Sequence, residues 1–111
     1  MDNVKDDLYY IHKIIGDLEI IIANTKGVTQ SDLETNTILC DSVLFRIIQI
    51  SENGAKLTDS FRLQHPDIPW RAIRSMRNRI VHDYGEVDLE VVYDTISHDI
   101  PDLLKKLINM K

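Results

Sequence analysis

The chain has 111 residues, a formal net charge of -5, 43% hydrophobic residues and 28% charged residues. This composition excludes a disordered chain and is typical of a globular protein, so we expect one domain covering residues 1–111. The chain contains no apolar run of about 18 residues and its N-terminus is acidic, so we expect no membrane span and no signal peptide. The cytoplasm is the expected location.

The first helix is predicted from the spacing of its apolar residues. They recur at steps of three and four from about Asn3 to Asn24, which is the pattern of an amphipathic helix. Further isoleucines widen the apolar face, which indicates packing against two neighbours, in the core or in a dimer contact. Gly27 is the predicted helix stop.

A second helical region follows. Ser31 with Glu34 three residues later has the pattern of a capping box and predicts its start. The apolar pattern continues to about Glu52, and a short extra helix is predicted around Phe61. Cys40 lies on this apolar pattern, which is typical of a buried thiol and not of a nucleophile.

The C-terminal part is predicted to be helical as well. Asp88 is a good N-cap for the last helix, and Pro101 should kink or split that helix near His98. No strand pattern competes, so we predict an all-α fold, an up-and-down four-helix bundle with a short extra helix. His12, His65 and His98 fall on separate elements without zinc spacing, so we expect neither a metal nor a cofactor.

Residues 69–85 carry most of the chemistry. Four of the six arginines lie there, and the segment has a local charge of +3 in an acidic chain. Pro69 is suited to open a helix and Gly85 to end it. An ideal wheel separates an apolar arc, which includes Trp70, from a polar stripe that could meet a polyanion; the stripe consists of Arg71, Arg74, Ser75, Asn78 and His82.

Arg77 breaks this pattern. It falls inside the apolar arc, about 140° from His82 on the wheel, where an unpaired guanidinium is costly. It is either buried against a carboxylate of another helix, or it faces a cleft while the helix loosens near Val81, so that His82 and Tyr84 turn toward the same space. A second copy of the chain could also supply the group that pairs with the Arg77 guanidinium.

Arg77, Asn78, His82 and Tyr84 form the pattern R-N-x-x-x-H-x-Y, which resembles the signature of the HEPN ribonucleases. The extended pattern is similar to the HepT branch of that superfamily and covers about a third of the chain. It consists of Ile68-Pro69-Trp70-Arg71, Met76-Arg77-Asn78, His82-Asp83-Tyr84, Val87-Asp88 and Ile100-Pro101.

The resemblance implies a HEPN-like helical domain and a metal-independent endoribonuclease. Its catalytic pair would be Arg77 and His82, with Asn78 as polar support, in a cleft where two subunits of a homodimer or a larger assembly meet. This chemistry is reasonable, because a guanidinium and an imidazole suffice for cleavage when the RNA 2′-OH is the nucleophile. The chain would be the toxin of a type VII toxin–antitoxin system, acting on cellular RNA, with tRNA as the candidate substrate.

The other candidate residues leave alternatives open. On general grounds Tyr84 is more often a packing residue, but the resemblance implies that a minimal nucleotidyltransferase (MNT) antitoxin attaches AMP to it. We expect Arg71 and Arg74 to be RNA-binding candidates, whereas Arg79 points elsewhere and Trp70 is more often core than a base-stacking platform. The alternative functions are a non-catalytic helical binding module and a substrate-binding subunit of a nucleotidyltransferase.

Overall fold

The computed structural model describes residues 5–81 and 86–110. These residues form the helices α1 (Asp7–Asn24), α2 (Gln30–Thr35), α3 (Thr37–Ala55), α4 (Asp59–Gln64), α5 (Trp70–Ile80), α6 (Leu89–Asp94) and α7 (Ile100–Ile108). A π-helical turn, Thr95–Asp99, joins the last two helices. The described ranges contain no strand beyond one isolated bridge, so the predicted all-α class is confirmed.

Four long segments pack as a bundle: α1, α3, α5, and the segment formed by α6, the π-helical turn and α7. Helix α3 lies between α1 and α5, and α1 also packs against α7, while the short α2 contacts α3 and α6. The core is built from branched aliphatic side chains and one methionine that are almost fully enclosed; they include Ile14, Leu18, Ile47, Ile50, Ile73, Met76, Ile80 and Ile100. Among the described helices, none combines the length and the apolar character needed to cross a membrane.

The capping box that opens α2 is not the predicted one. Thr29, which has extended backbone angles, accepts a hydrogen bond from the Asp32 N–H, and Asp32 accepts one from the Thr29 N–H. Gly27, with a φ of 72°, precedes it and redirects the chain after α1. The prediction of Ser31 was wrong because Ser31 already lies in the first turn of α2, where it has lost the extended backbone that an N-cap needs.

The predicted second region is also interrupted. It divides at Asn36, whose side-chain oxygen accepts a hydrogen bond from the Leu39 N–H at 3.0 Å and so caps α3. The prediction of one continuous helical region was therefore wrong. Residues 34–37 are all polar and several of them could cap a helix, so the apolar spacing does not show that one helix ends and another begins at Asn36.

The predicted features of the last helix are confirmed. The Asp88 carboxylate accepts a hydrogen bond from the Val91 N–H at 3.2 Å, so Asp88 is the N-cap of α6. Pro101 lies in the first turn of α7, immediately after the π-helical turn. Because proline has no N–H and its ring crowds the preceding turn, the helix widens there to keep its other hydrogen bonds.

Helices α3 and α5 lie unusually close together at Gly54. A Cβ atom built on Gly54 would lie 2.6 Å from the Ile73 Cγ2 atom. Gly54 lies inside α3. Because glycine has no side chain, Gly54 allows α3 and α5 to approach each other at this point.

We predict that Gly54→Ala destabilises the fold by about 1–3 kcal/mol, since α3 and α5 must separate to accept the methyl group. The matched control is Gly16→Ala inside α1, where an added Cβ meets no described atom within 4 Å. That change should stabilise the protein by about 0.5–1 kcal/mol through helix propensity. Urea unfolding followed by circular dichroism measures both, and equal effects would contradict the close contact.

Candidate functional site

The amphipathic face predicted for α5 is confirmed. Ile73, Met76 and Ile80 are buried, and they anchor the helix on the core. Trp70 packs against the core and the ring of Phe61, with 5.9 Å between the two ring centroids. Its indole N–H donates to the carbonyl oxygens of Arg62 at 3.2 Å and His65 at 2.9 Å. The preference for a packing role of Trp70 is therefore confirmed.

The Arg77 side chain is exposed, so its interpretation as a buried arginine paired with a carboxylate was wrong. Its guanidinium Nη1 donates to the Asn78 side-chain oxygen at 3.1 Å. Within residues 5–81 and 86–110, no carboxylate lies at ion-pair distance from this guanidinium. Among the described residues, the positive charge of Arg77 therefore has no carboxylate partner, and the neighbouring amide orients it.

The backbone of Arg77 is fixed from two sides. Its N–H donates to the hydroxyl oxygen of Ser51 on α3 at 3.1 Å, and the Ser51 hydroxyl donates to the Ile73 carbonyl at 2.9 Å. The Val81 N–H donates to the Arg77 carbonyl at 2.9 Å. These bonds explain how a wheel position in the apolar arc can be exposed: the backbone of Arg77 contacts α3 while its long side chain extends into solvent.

Ser51 is a residue at this site that sequence analysis missed. It is 6% exposed and lies in α3 among apolar core positions. A serine in such a pattern is compatible with many roles, because a hydroxyl can also bond to its own helix. Only the approach of α5 shows that its partners are Ile73 and Arg77.

Helix α5 ends earlier than predicted. Its last residue is Ile80, and Val81 has an extended backbone with φ of -104° and ψ of 114°, so the prediction of a helix reaching Gly85 was wrong. The expected loosening near Val81 is confirmed. Since the helix stops there, the 140° separation of Arg77 and His82 on an ideal wheel no longer constrains them.

The chain returns directly to the end of α5. Val81 and Val87 form an antiparallel bridge, and the Asp88 N–H donates to the Ile80 carbonyl at 3.0 Å. The predicted catalytic His82 and the predicted modified Tyr84 lie outside the described residues. Val81 and Val87, which lie on either side of residues 82–85, are paired with each other at the end of α5, whose last turn carries Arg77.

The remaining arginines of α5 differ in their surroundings. Arg71 and Arg74 are exposed and line a shallow depression of about 390 Å³, whose other lining residues are Arg62, Trp70, Ser75 and Asn78. Arg79 instead forms a 3.5 Å ion pair with Asp99. The structure thus groups Arg71 and Arg74 with Asn78 and directs Arg79 elsewhere, as the sequence predicts.

The cysteine and the described histidines lie apart from this site. Cys40 is buried, as predicted, and burial raises the pKa of its thiol, with a further increase from the nearby Asp41 carboxylate. A raised pKa lowers the thiolate fraction at neutral pH, which does not suit a nucleophile. His12 and His98 are exposed, while His65 packs on Phe61 with 4.7 Å between the ring centroids.

Comparison with known proteins identifies relatives along nearly the whole chain. Residues 11–110 match the family described as "Ribonuclease HepT-like". A protein of Thermococcus cleftensis named as a probable ribonuclease HepT is 31% identical over 107 residues, covering 92% of this chain and 93% of its own length. A protein of Caldanaerobacter subterraneus named as a candidate RNase is 29% identical over 98 residues, covering 88% of each chain.

A third relative has a composite name. The protein of Methanocaldococcus jannaschii named as a gamma-glutamylcyclotransferase and candidate RNase is 32% identical over 106 residues. The match covers 96% of this chain but only 48% of that relative. No solved structure matches the chain significantly.

We predict that Ser51→Ala lowers the free energy of unfolding by about 1–3 kcal/mol, because it removes a hydroxyl that bonds two backbone groups of α5 in a buried position. The control is Ser42→Ala on the same helix, where the side chain is partly exposed and should change stability by less than about 0.5 kcal/mol. Thermal or urea unfolding measures both. A Ser51→Ala protein as stable as the control would show that the contact with α5 contributes nothing.

Proposed function

Because the chain belongs to the HepT-like ribonuclease family, we propose that it is a metal-independent endoribonuclease toxin that cleaves cellular RNA with Arg77 and His82. Transfer RNA is the candidate substrate. The observation that carries the proposal is the state of Arg77. It is exposed, oriented by Asn78, has no carboxylate partner in the described ranges, and lies in the last turn of a helix that ends before His82.

The chemistry follows from these two side chains. The neutral imidazole of His82 removes the proton of the RNA 2′-OH, and the resulting oxygen attacks the adjacent phosphorus. The bond from phosphorus to the 5′-oxygen breaks, the 5′-oxygen takes a proton from an imidazolium or from water, and the product is a 2′,3′-cyclic phosphate. Arg77 donates to the non-bridging oxygens as negative charge develops on them.

We place this reaction in a cleft between two copies of the chain. A homodimer would bring two copies of Arg77 and His82 to one cleft, so that an arginine of one protomer could act with a histidine of the other. Support comes from the end of α5: Arg77 is exposed there, and Val81, which precedes His82, bonds to the Arg77 carbonyl and pairs with Val87. In a chain of 111 residues, a deep cleft is more readily built between subunits than within one.

We further propose that an MNT antitoxin neutralises the toxin in a type VII toxin–antitoxin pair. The phenolic oxygen of Tyr84 would attack the α-phosphorus of ATP, lose its proton and release pyrophosphate, leaving AMP on the tyrosine. Tyr84 follows His82 by two residues, in the segment whose flanks are joined by the Val81–Val87 bridge. The phosphate of an AMP on Tyr84 would bind Arg77 in place of an RNA phosphate, and its negative charge would repel the RNA.

We predict that the native chain cleaves RNA in the presence of EDTA. Arg77→Ala and His82→Ala should each lower the cleavage rate by at least about 100-fold, since each removes a group that stabilises the transition state. Arg79→Ala is the matched control, because it removes an arginine of the same helix that already has a carboxylate partner. Cleavage is measured on labelled RNA, with folding checked by circular dichroism.

Two results would contradict this assignment. Cleavage that persists in both Arg77→Ala and His82→Ala would remove these residues from the mechanism. Binding of RNA without any turnover by the native chain would instead favour the non-catalytic binding module. End-group analysis adds a separate check, because the proposed reaction requires a 2′,3′-cyclic phosphate on the upstream product.

For Tyr84 we predict a mass increase of one AMP after incubation with ATP and an MNT nucleotidyltransferase. The Tyr84→Phe variant lacks the attacking oxygen and should gain no mass, while retaining cleavage. Peptide mass spectrometry locates the adduct. An adduct on another residue, or a modified protein that still cleaves RNA, would reject the proposed control of activity.

A further inference from the structure

The depression beside α5 is built from two helices, which sequence analysis did not foresee. Arg71 and Arg74 come from α5, while Arg62 comes from the short α4. None of the described residues that line it carries a carboxylate. Three guanidinium groups around one concave surface on an acidic chain indicate a site for an anion.

Arg62 is only partly neutralised. Its Nη2 pairs with the Asp59 carboxylate on the same helix. Its Nη1 is buried and has no hydrogen-bond partner among the described residues. An unsatisfied buried donor costs free energy, so the Arg62 guanidinium has hydrogen-bonding capacity that its described partners leave unused.

Trp70 gives the depression an apolar wall. The ring is half-buried, and its N–H is already bonded to the carbonyl oxygens of Arg62 and His65. The indole therefore has no donor left for a ligand and offers only its carbon surface. A flat apolar surface beside cationic groups suits a ligand that combines aromatic bases with phosphates.

Asn78 connects the depression with Arg77. It lines the depression and accepts the hydrogen bond of the Arg77 guanidinium at 3.1 Å. From Arg71 to Asn78, the helix rises by about 10 Å. Arg62, Arg71 and Arg74 thus line the depression, and the proposed catalytic Arg77 is hydrogen-bonded to Asn78 at its wall.

We propose that this depression binds the backbone of single-stranded RNA and guides it toward Arg77, with Arg62 as an RNA-binding residue. The inference rests on the proposed ribonuclease function and identifies the strandedness and the path of its substrate. Its volume of about 390 Å³ suits one or a few nucleotides. Unstacked bases of a single strand can contact an apolar wall, whereas a duplex keeps its bases paired and stacked.

The experiment measures binding of a fluorescently labelled single-stranded oligouridylate in the His82→Ala background, which prevents cleavage. Affinity is determined by anisotropy at several salt concentrations for Arg62→Gln, Arg62→Lys and the control Arg79→Gln. Arg62→Gln and Arg79→Gln each remove one arginine charge, but only Arg62 lines the depression. Arg62→Lys retains the charge and loses the planar fork.

We expect Arg62→Gln to weaken binding about fourfold at 0.15 M salt and to reduce the salt slope by about 0.7, the value for one phosphate contact with a single strand. Arg79→Gln should leave the slope unchanged. Arg62→Lys should restore most of the slope, and circular dichroism checks that each variant is folded. Equal losses in Arg62→Gln and Arg79→Gln would overturn the inference and leave the ribonuclease proposal intact.

Other outcomes are equally decisive. Tighter binding of a matched RNA duplex than of the single strand would overturn the single-strand path. Displacement of the RNA by polyglutamate at equal charge would show a surface for an acidic protein and also overturn it. Cleavage by the native chain with no effect of Arg62→Gln would reject only this inference, whereas no binding and no cleavage by the native chain would reject both proposals.

Discussion

The position of the candidate site depends on the close contact between α3 and α5. Gly54 has no side chain where Ile73 crosses α3, and the Ser51 hydroxyl, one turn earlier, bonds to the Ile73 carbonyl and the Arg77 N–H. Steric fit and hydrogen bonding therefore act on neighbouring turns of the same two helices. Because protein interiors are close-packed, a small change at this contact would be transmitted along α5 to Arg77.

The C-terminal end of α5 reduces the repulsion between the arginines of this helix. Arg71, Arg74 and Arg77 follow one another at intervals of three residues, where like charges repel on a helix. Arg77 and Arg79 lie in the last turn, where the helix dipole favours positive charge. Asp99 neutralises Arg79. What remains is an exposed positive surface that a polyanion would stabilise, consistent with the proposed RNA substrate.

Much of the fold could be predicted because local signals agree with tertiary packing. The apolar spacing in α1 and α5, the Asp88 cap and the disruption near Pro101 are each encoded within a few residues. The break at Asn36 and the cap at Thr29 were missed because several polar residues there could cap a helix. Sequence alone does not rank such alternatives.

The candidate site was predictable to a smaller extent. The spacing of Arg77 and Asn78 was visible in the sequence, as was the grouping of Arg71 with Arg74. The sequence did not identify Arg62 and Ser51 as part of the site, since both reach it from other helices and only three-dimensional packing brings them there. The exposure of Arg77 was misjudged in one alternative because an ideal wheel ignores the length of an arginine side chain.

The contact between Asp7 and Thr58 has a consequence for folding. Both oxygens of the Asp7 carboxylate accept hydrogen bonds from Thr58, at 2.8 Å from its N–H and 2.8 Å from its hydroxyl. The two residues are 51 positions apart, so closing this loop carries an entropic cost that local helix formation does not recover. Helix α4 begins immediately after Thr58, which couples its docking to the arrival of the first turn of α1. Hydrogen exchange should therefore show the amides of these two distant segments opening as one cooperative unit.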